Sequence, residues 1–167
     1  MQSIYLDHAA TSPVHPEVID IMTKAMAEVY GNPSSIHAAG RHARKALDEA
    51  RTTLARAIGA KDTEIIFTSG GTEADNTAIF GSVYALKSKG NHIITTQVEH
   101  HAVLHACEKL EKDGFDVTYL PVDETGRISV EKFKKALRDD TIFVTIMYGN
   151  NEVGTIQPIK EIGELLL

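Results

Sequence analysis

The feature of this chain best suited to chemistry is an apolar run that breaks into a small polar loop. The run covers residues 64–67, and the loop Thr68-Ser69-Gly70-Gly71-Thr72 leads into a segment compatible with a helix. A helix start leaves about four backbone N–H groups unpaired at the positive end of the helix dipole. Glycines let a ligand approach the backbone, and Ser and Thr hydroxyls bind phosphate or cap the helix. The loop predicts a phosphate site, with an ordinary capped turn as the alternative.

The usual nucleotide-binding signatures do not identify the phosphorylated ligand. Neither GxxxxGK[ST] nor GxGxxG occurs in the sequence, and these are the patterns that cradle nucleoside triphosphates and dinucleotides. The sequence therefore indicates some other phosphorylated compound.

A second polar loop places an imidazole where it can act on a ligand. Glu99-His100-His101 follows another apolar run, and a His ring can stack on an aromatic ligand or transfer a proton near neutral pH. The alternative is that His100 only caps the next helix. Its position after a strand, like that of the phosphate loop, favours a role in binding.

Two further features of the same segment are interpreted without invoking reactive chemistry. His101 and His105 are spaced to share one face of a helix, but no Glu lies between them and no ligand cluster follows, so no metal site is predicted. Cys107 shares the helical pattern of Val103 and Leu110, which predicts a buried apolar residue, not a nucleophile.

A third polar loop follows the apolar strand pattern at residues 142–146. It contains Asn150 and Asn151, whose amides can donate and accept hydrogen bonds, between Gly149 and Glu152. Asn and Gly are also common turn formers. Both interpretations hold if one amide forms the turn and the other faces a ligand.

The elements that must position these loops alternate between helix and strand. A helix is predicted to begin at Pro16 and to end at Gly31, and a longer one, with a Ser N-cap in residues 34–35, to end before Gly59. The remaining predictions are strands at 65–68, 92–97, 116–120 and 141–147, helices at 74–89, 101–113 and 130–137, and a final helix from Ile159.

This alternation predicts an α/β protein with a mostly parallel sheet between two layers of helices, a three-layer αβα arrangement. The nearly continuous apolar run at 142–146 is typical of a strand covered on both faces. Ligands of such sheets bind at the carboxyl ends of the strands. The loops at 69–72, 98–101 and 148–152 are therefore expected to converge on one edge.

Composition limits the classes of protein considered. With 167 residues and 43% hydrophobic content the chain can build one core, and a net charge of -6 without a basic stripe argues against nucleic acid as a partner. No apolar run is long enough for a membrane span, and a single cysteine fits a reducing compartment, so a cytoplasmic protein is expected. The last residues, Glu164-Leu165-Leu166-Leu167, lack a helix stop, and a longer parent protein is expected.

Together these loops carry a resemblance that runs along the whole chain. The matching blocks are residues 5–13 (YLDHAATSP), 31–37 (GNPSSIH), 67–76 (FTSGGTEADN), 98–103 (VEHHAV) and 150–154 (NNEVG). In this order they resemble the N-terminal half of the cysteine desulfurases, in the class V aminotransferase family of fold-type I pyridoxal phosphate enzymes. The GNPSSIH block resembles the branch that supplies sulfur for iron-sulfur clusters and tRNA thiolation.

The resemblance implies roles for individual residues. Gly71 and Thr72 correspond to phosphate ligands of pyridoxal 5'-phosphate. His100 corresponds to the catalytic imidazole stacked on the pyridine ring, and Asn151 to a partner of the ring hydroxyl. Asn32 is implied to lie near the substrate carboxylate.

The resemblance also implies an organisation and an activity. Residues 1–15 form a turn-rich segment, 16–60 a helical segment, and 61–167 the first part of the large fold-type I domain, incomplete in this chain. The Schiff-base Lys and the nucleophilic Cys are implied to lie beyond residue 167. The parent, a homodimer, would convert L-cysteine to alanine and pass sulfur to an acceptor scaffold or a tRNA-thiolation protein.

Two alternatives remain at this point. One is another class V pyridoxal phosphate enzyme, such as an aminotransferase or a selenocysteine lyase. The other is a fragment that only binds cofactor or forms dimers.

Overall fold

The computed structural model describes residues 4–167, which form two compact units, one up to Phe67 and one from Thr68 to Leu167. Residues 1–3 of the predicted turn-rich segment 1–15 lie outside the described part. Within that part, no helix is long and apolar enough to cross a membrane.

The first unit contains two helices, α1 (Pro16–Glu28) and α2 (Ala38–Ile58). α1 begins at Pro16, as predicted, because proline lacks the N–H that a first helical residue leaves unpaired. α2 ends at Gly59, which adopts the left-handed conformation with φ 70° that glycine tolerates.

The predicted Ser N-cap of α2 is wrong. The N-cap is His37, whose Nδ1 accepts a hydrogen bond from the backbone N of Gly40 at 3.3 Å. The cause lies in the preceding turn, which the backbone N of Ser35 closes on the carbonyl of Asn32 at 3.0 Å. This turn packs against Gly40 so closely that an added Cβ would lie 2.3 Å from the Ser35 carbonyl oxygen, and the helix therefore starts only after residue 37.

The predicted strand at residues 65–68 is also wrong, because no described strand pairs with it. Ile65 is extended, with φ -95° and ψ 124°, but its carbonyl accepts from the guanidinium of Arg51 in α2. The Arg51 guanidinium also lies 4.8 Å from the ring centre of Phe67. A strand needs a ladder partner, and an apolar sequence alone does not supply one.

The second unit alternates helices and strands, as predicted. Its elements are α3 (Gly71–Leu86), β1 (His92–Thr96), α4 (His101–Lys112), β2 (Asp116–Leu120), α5 (Val130–Ala136), β3 (Thr141–Val144) and α6 (Ile159–Leu165). α3 starts earlier than predicted, directly after the glycine loop. β3 is shorter than the predicted strand 141–147, since after the bond from Thr145 N to Ile94 O the backbone N of Met147 donates to a side chain, that of Glu99.

The three strands form a parallel sheet in the order β2-β1-β3, which confirms the predicted α/β class. The central strand β1 is buried along its whole length. Ile93 packs into a core with α3 and α4, and Ile94 packs into a second core with α5 and α6. Helices therefore cover both faces of the sheet, consistent with part of a three-layer αβα domain.

Candidate functional site

Three polar loops of the second unit are joined by hydrogen bonds. Two of them follow β1 and β3, as expected, whereas the glycine loop follows no described strand. The Nδ2 atom of Asn76, in α3, donates to the carbonyl of Ala102 in α4 at 3.4 Å. The Nδ2 atom of Asn150 donates to the carbonyl of Val98 at 3.0 Å. The loops that carry residues 71–72, 100 and 151 are therefore parts of one connected surface.

The start of α3 has the features of an anion site. Its N-cap residue Gly70 is fully extended (φ 168°, ψ -179°) and no side chain caps the helix. A Cβ added at Gly70 or Gly71 would meet no atom within 4 Å, so the space in front of these residues is open. The amides of Gly71 and Thr72 thus face an approachable volume at the positive end of a helix of 16 residues.

The neighbouring Ser69 is already engaged by the protein. The Oε2 atom of Glu73 accepts from the Ser69 backbone N at 2.7 Å and from its hydroxyl at 2.6 Å. These two hydrogen bonds, chiefly that from the hydroxyl, lower the pKa of Glu73. The Ser69 hydroxyl therefore stabilises the turn, and the donors left for an anion are the first amides of α3 and the Thr72 hydroxyl.

His100 caps α4. Its Nδ1 accepts from the backbone N of Ala102 at 3.1 Å, which leaves the proton of the neutral ring on Nε2. The side chain is exposed. The capping alternative raised from the sequence is confirmed, and the exposed ring remains able to contact a ligand at the same time.

Three other side chains of α4, those of His101, His105 and Cys107, take no part in these hydrogen bonds. The rings of His101 and His105 lie 5.4 Å apart, centre to centre. Among the described residues no group of three or more His, Cys, Asp or Glu side chains is placed to hold a metal ion. Cys107 is buried, as predicted, and burial raises the pKa of its thiol to about 11.

The two amides of the third loop have different surroundings. Asn150 is 8% exposed, and its Oδ1 accepts from the backbone N of Glu152 and of Val153, each at 2.9 Å. Asn151 is exposed, with only its Nδ2 donating to Glu152 Oε1 at 2.8 Å. One amide forms the turn and the other is available, as the sequence suggested.

The sequence pattern predicted no role for Glu99, which the structure shows to be a buried link between β1 and the segment after β3. It is 7% exposed, and its Oε1 accepts from the Thr96 hydroxyl at 2.8 Å and from the backbone N of Met147 at 2.9 Å. Burial raises the pKa of its carboxyl group. The sequence indicated only a charged residue directly after an apolar strand, which does not reveal the partner on another strand.

Asn32 belongs to the first unit, whereas the other four predicted site residues belong to the second. Its Oδ1 accepts from the backbone N of Ser34 at 2.9 Å, and its side chain is exposed. The amide nitrogen of Asn32 is therefore available for a ligand, as described within the first unit.

Two pockets help to locate the site. One of about 730 Å³ is lined by Val98, Asn150 and Glu152 together with the turn at 123–126, beside the joined loops. A larger groove of about 880 Å³ runs along α2 in the first unit and contains none of the predicted site residues. Its charged side chains include ion pairs within α2, such as Arg44 with Asp48 at 2.9 Å.

The donors of the second unit suit a phosphorylated aromatic ligand such as pyridoxal phosphate. Uncapped amides beside an open glycine loop suit the phosphate group, an exposed imidazole suits the face of a ring, and an exposed amide suits a ring substituent. No side chain described above would have to leave a buried position to admit such a ligand.

Comparison with known proteins identifies the family. Residues 4–166 match the family model Aminotransferase class-V. The chain is 65% identical over 166 residues to the "Putative cysteine desulfurase IscS 1" of Bacillus subtilis, and 56% identical over 164 residues to the cysteine desulfurase IscS of Dictyoglomus turgidum. These alignments cover 99% and 98% of the chain but 44% and 42% of the two relatives, so the chain spans less than half of their length.

Two solved structures resemble the chain along almost its whole length. A protein described as "NIFS-LIKE PROTEIN" has a TM-score of 0.94 at 38% identity over 99% of this chain and 45% of its own. A structure described as "SspA in complex with cysteine" has a TM-score of 0.90 at 39% identity over 98% of this chain and 47% of its own. With the loops, the sheet and these matches taken together, the chain belongs to the class V aminotransferase family.

Proposed function

We propose that this chain is the N-terminal part of a pyridoxal phosphate-dependent cysteine desulfurase. The names of its relatives and the cysteine bound to one structural neighbour support this activity. The observation that carries the proposal is the uncapped start of α3, with open space at Gly70 and Gly71, joined to the loops of His100 and Asn151.

In this proposal five side chains or amides have separate tasks. Gly71 and Thr72 bind the phosphate through the first amides of α3, and the Thr72 hydroxyl adds a further donor. His100 lies on the pyridine ring while its Nδ1 keeps α4 capped, so the ring plane is fixed by the backbone. Asn151 donates to the ring hydroxyl, and Asn32 binds the substrate carboxylate through its amide nitrogen.

The overall reaction transfers one sulfur atom. L-Cysteine and an enzyme thiol give L-alanine and an enzyme persulfide, so a carbon–sulfur bond breaks and a sulfur–sulfur bond forms. When bound, pyridoxal phosphate supplies the electron sink that stabilises the charge left by removal of the α-proton. The Nε2 proton of His100 is available to hydrogen-bond or exchange with a group on the substrate side.

The proposal also covers the remaining catalytic groups, the assembly and the location of the full-length protein. The cysteine that takes up sulfur is not Cys107, because Cys107 is buried within α4. This cysteine and the lysine that anchors the cofactor are proposed to lie in the part of the relatives' length that this chain does not span. The parent is a cytoplasmic homodimer that delivers sulfur to an acceptor scaffold or to tRNA thiolation. Residues 61–167 are the first part of its large domain, preceded by the segments 1–15 and 16–60.

Product analysis of the full-length natural protein tests this function. Incubation with L-cysteine and a reducing thiol is expected to release alanine and sulfide in equal amounts, and the reaction should stop when pyridoxal phosphate is removed by dialysis against a scavenging amine. Pyruvate and ammonia in place of alanine would overturn the proposal. Activity on selenocysteine alone would point to the lyase alternative.

A further inference from the structure

A buried carboxylate that the proposed reaction does not use lies directly before His100. Removing a carboxylate from water costs free energy unless hydrogen bonds replace the lost hydration. Glu99 meets this condition with one oxygen atom, Oε1, which accepts from both Thr96 Oγ1 and the backbone N of Met147. Thr96 is itself fully buried at the end of β1, so the carboxylate is held from a rigid element.

The bond to Met147 replaces a missing bond of the sheet. Beyond Val144 the chain leaves the ladder, and Thr145 N makes the last bond to β1, at 2.9 Å to Ile94 O. Two residues later, the backbone N of Met147 donates to Glu99 Oε1 at 2.9 Å instead of to a carbonyl of β1. The carboxylate therefore fixes where the segment after β3 lies relative to the end of β1.

Asn150 makes the reciprocal connection. Its Nδ2 donates to the carbonyl of Val98 at 3.0 Å, while its Oδ1 holds the turn that follows. Glu99 directly precedes His100 and reaches the segment leading to Asn151. Asn150 directly precedes Asn151 and reaches the segment leading to His100.

We propose that Glu99 and Asn150 are positioning residues that form a reciprocal clamp and set the distance between His100 and Asn151. This inference rests on the proposed function for its consequence, because the distance between these two loops then decides whether the pyridine ring can lie on His100 while its hydroxyl reaches Asn151. The clamp itself is a property of the ligand-free protein.

We expect the clamp to depend on the length of the Glu99 side chain and not on its negative charge. One oxygen makes both hydrogen bonds of Glu99, so the amide oxygen of Glu99→Gln can replace it. Glu99→Asp keeps the charge but withdraws the carboxylate by one methylene, about 1.5 Å, and a displacement of that size breaks a hydrogen bond. The matched control is Glu108→Asp, which makes the same change at an exposed position of α4.

Two measurements on the full-length natural protein, prepared without cofactor, test the clamp. The first is hydrogen–deuterium exchange of the peptides covering residues 97–101 and 147–153. The second is the dissociation constant of pyridoxine 5'-phosphate, whose alcohol cannot bond covalently to a lysine. Glu99→Asp should exchange faster in both peptides and bind the probe about tenfold more weakly, as expected for one lost buried hydrogen bond. Glu99→Gln and Glu108→Asp should match the wild type.

The outcomes separate the clamp from the proposed function. Unchanged exchange in Glu99→Asp, or equal defects in Glu99→Asp and Glu99→Gln, would overturn the clamp. If the wild type does not bind pyridoxine 5'-phosphate, the proposed function fails, and the exchange data alone decide on the clamp.

Should Glu99→Asp not fold, Asn150→Asp takes its place, because it keeps the oxygen acceptor and removes the Nδ2 donor to Val98 O and to Met147 Sδ. Faster exchange in residues 97–101 of that variant would support the clamp, and unchanged exchange would refute it.

Discussion

His100 combines a structural and a proposed binding task in one side chain. Its Nδ1 caps α4 through the Ala102 amide, while the exposed ring is proposed to lie on the cofactor. His100→Asn should separate the two tasks, since Asn is a good N-cap but has no ring to stack. In the full-length natural protein we expect pyridoxine 5'-phosphate to bind about tenfold more weakly, the loss of about 1.4 kcal/mol of stacking energy. Fluorescence titration of the cofactor-free protein measures this.

His100→Ala and His105→Gln complete the comparison. His100→Ala removes the cap as well, which should lower the free energy of unfolding by about 1 kcal/mol more than His100→Asn. His105 is an exposed His on the same helix, and its replacement should leave binding unchanged. Equal binding by His100→Asn and the wild type would show that the ring does not contact the ligand.

Cys107 is expected to be inert in the folded chain. Its side chain is fully buried and the pKa of its thiol is raised to about 11, so almost no thiolate exists near pH 7.5. In the 167-residue chain, whose only cysteine this is, a thiol reagent such as Ellman's reagent should react slowly in buffer and completely in denaturant. Rapid reaction of the native chain would contradict both the burial and the assignment of the sulfur-accepting thiol to another residue.

At the scale of elements, the sequence predicted well wherever local pattern decides structure. The position of β1 and the ends of β2 followed from the strand pattern between turns. The start of α1 followed from Pro16 and the end of α2 from Gly59, whereas α1 ends at Glu28 and not at the predicted Gly31. The prediction failed where a distant partner decides. The predicted strand at 65–68 has no described ladder partner, and the end of β3 depends on the side chain of Glu99.

In the candidate site, too, local pattern indicates individual residues but not the contacts between them. The sequence indicated the glycine loop, His100 and Asn151 as candidates because each comes after an apolar run, and their roles stay predictions. Their connections could not, because the bonds from Asn76 to Ala102 and from Asn150 to Val98 join residues far apart in sequence. Hydrogen bonds of this kind depend on strand order and register, which local pattern does not contain.

The three strands share one buried titratable group that should make stability depend on pH. His92 in β1 is fully buried, with Nδ1 2.8 Å from Thr141 Oγ1 in β3 and Nε2 2.8 Å from Thr118 Oγ1 in β2. Burial, and next the positive charge of Arg138, lower the pKa of His92 below its usual 6.5. A lowered pKa means that the folded state disfavours the proton, so the contribution to stability is complete above pH 6.5 and is lost as the pH falls below it.

Urea unfolding of the 167-residue chain at pH 7.5 and 5.5 measures this effect. The midpoint should fall at the lower pH, and the fall should be smaller in His92→Gln, which cannot take up a proton. His105→Gln provides the control, because His105 is exposed and its replacement should leave the pH dependence of the wild type intact. An identical fall in His92→Gln and the wild type would mean that another group is responsible.

At the scale of the whole molecule, the two units differ in how much apolar surface they bury. The second unit holds both core clusters, whereas α1 in the first unit has no buried residue. The apolar side chains of α1 recur at helical spacing and remain largely exposed, among them Val18 at 45%, Ile19 at 50%, Met22 at 52% and Met26 at 72%. Monomeric proteins rarely expose a contiguous apolar stripe of this kind.

The 167-residue chain is therefore expected to self-associate in solution. Burying the stripe of α1 against another copy would gain about 25 cal/mol per Å² of apolar surface removed from water. Light scattering coupled to size-exclusion chromatography should give a weight-average mass that rises with concentration. Met22→Glu places a charge within the stripe and should bring the mass toward the 18.2 kDa of one chain. Ala27→Glu adds the same charge about 140° around α1 from Met22, outside the stripe, so it should associate like the wild type. If both variants remain associated to the same extent, the contact lies elsewhere than on α1.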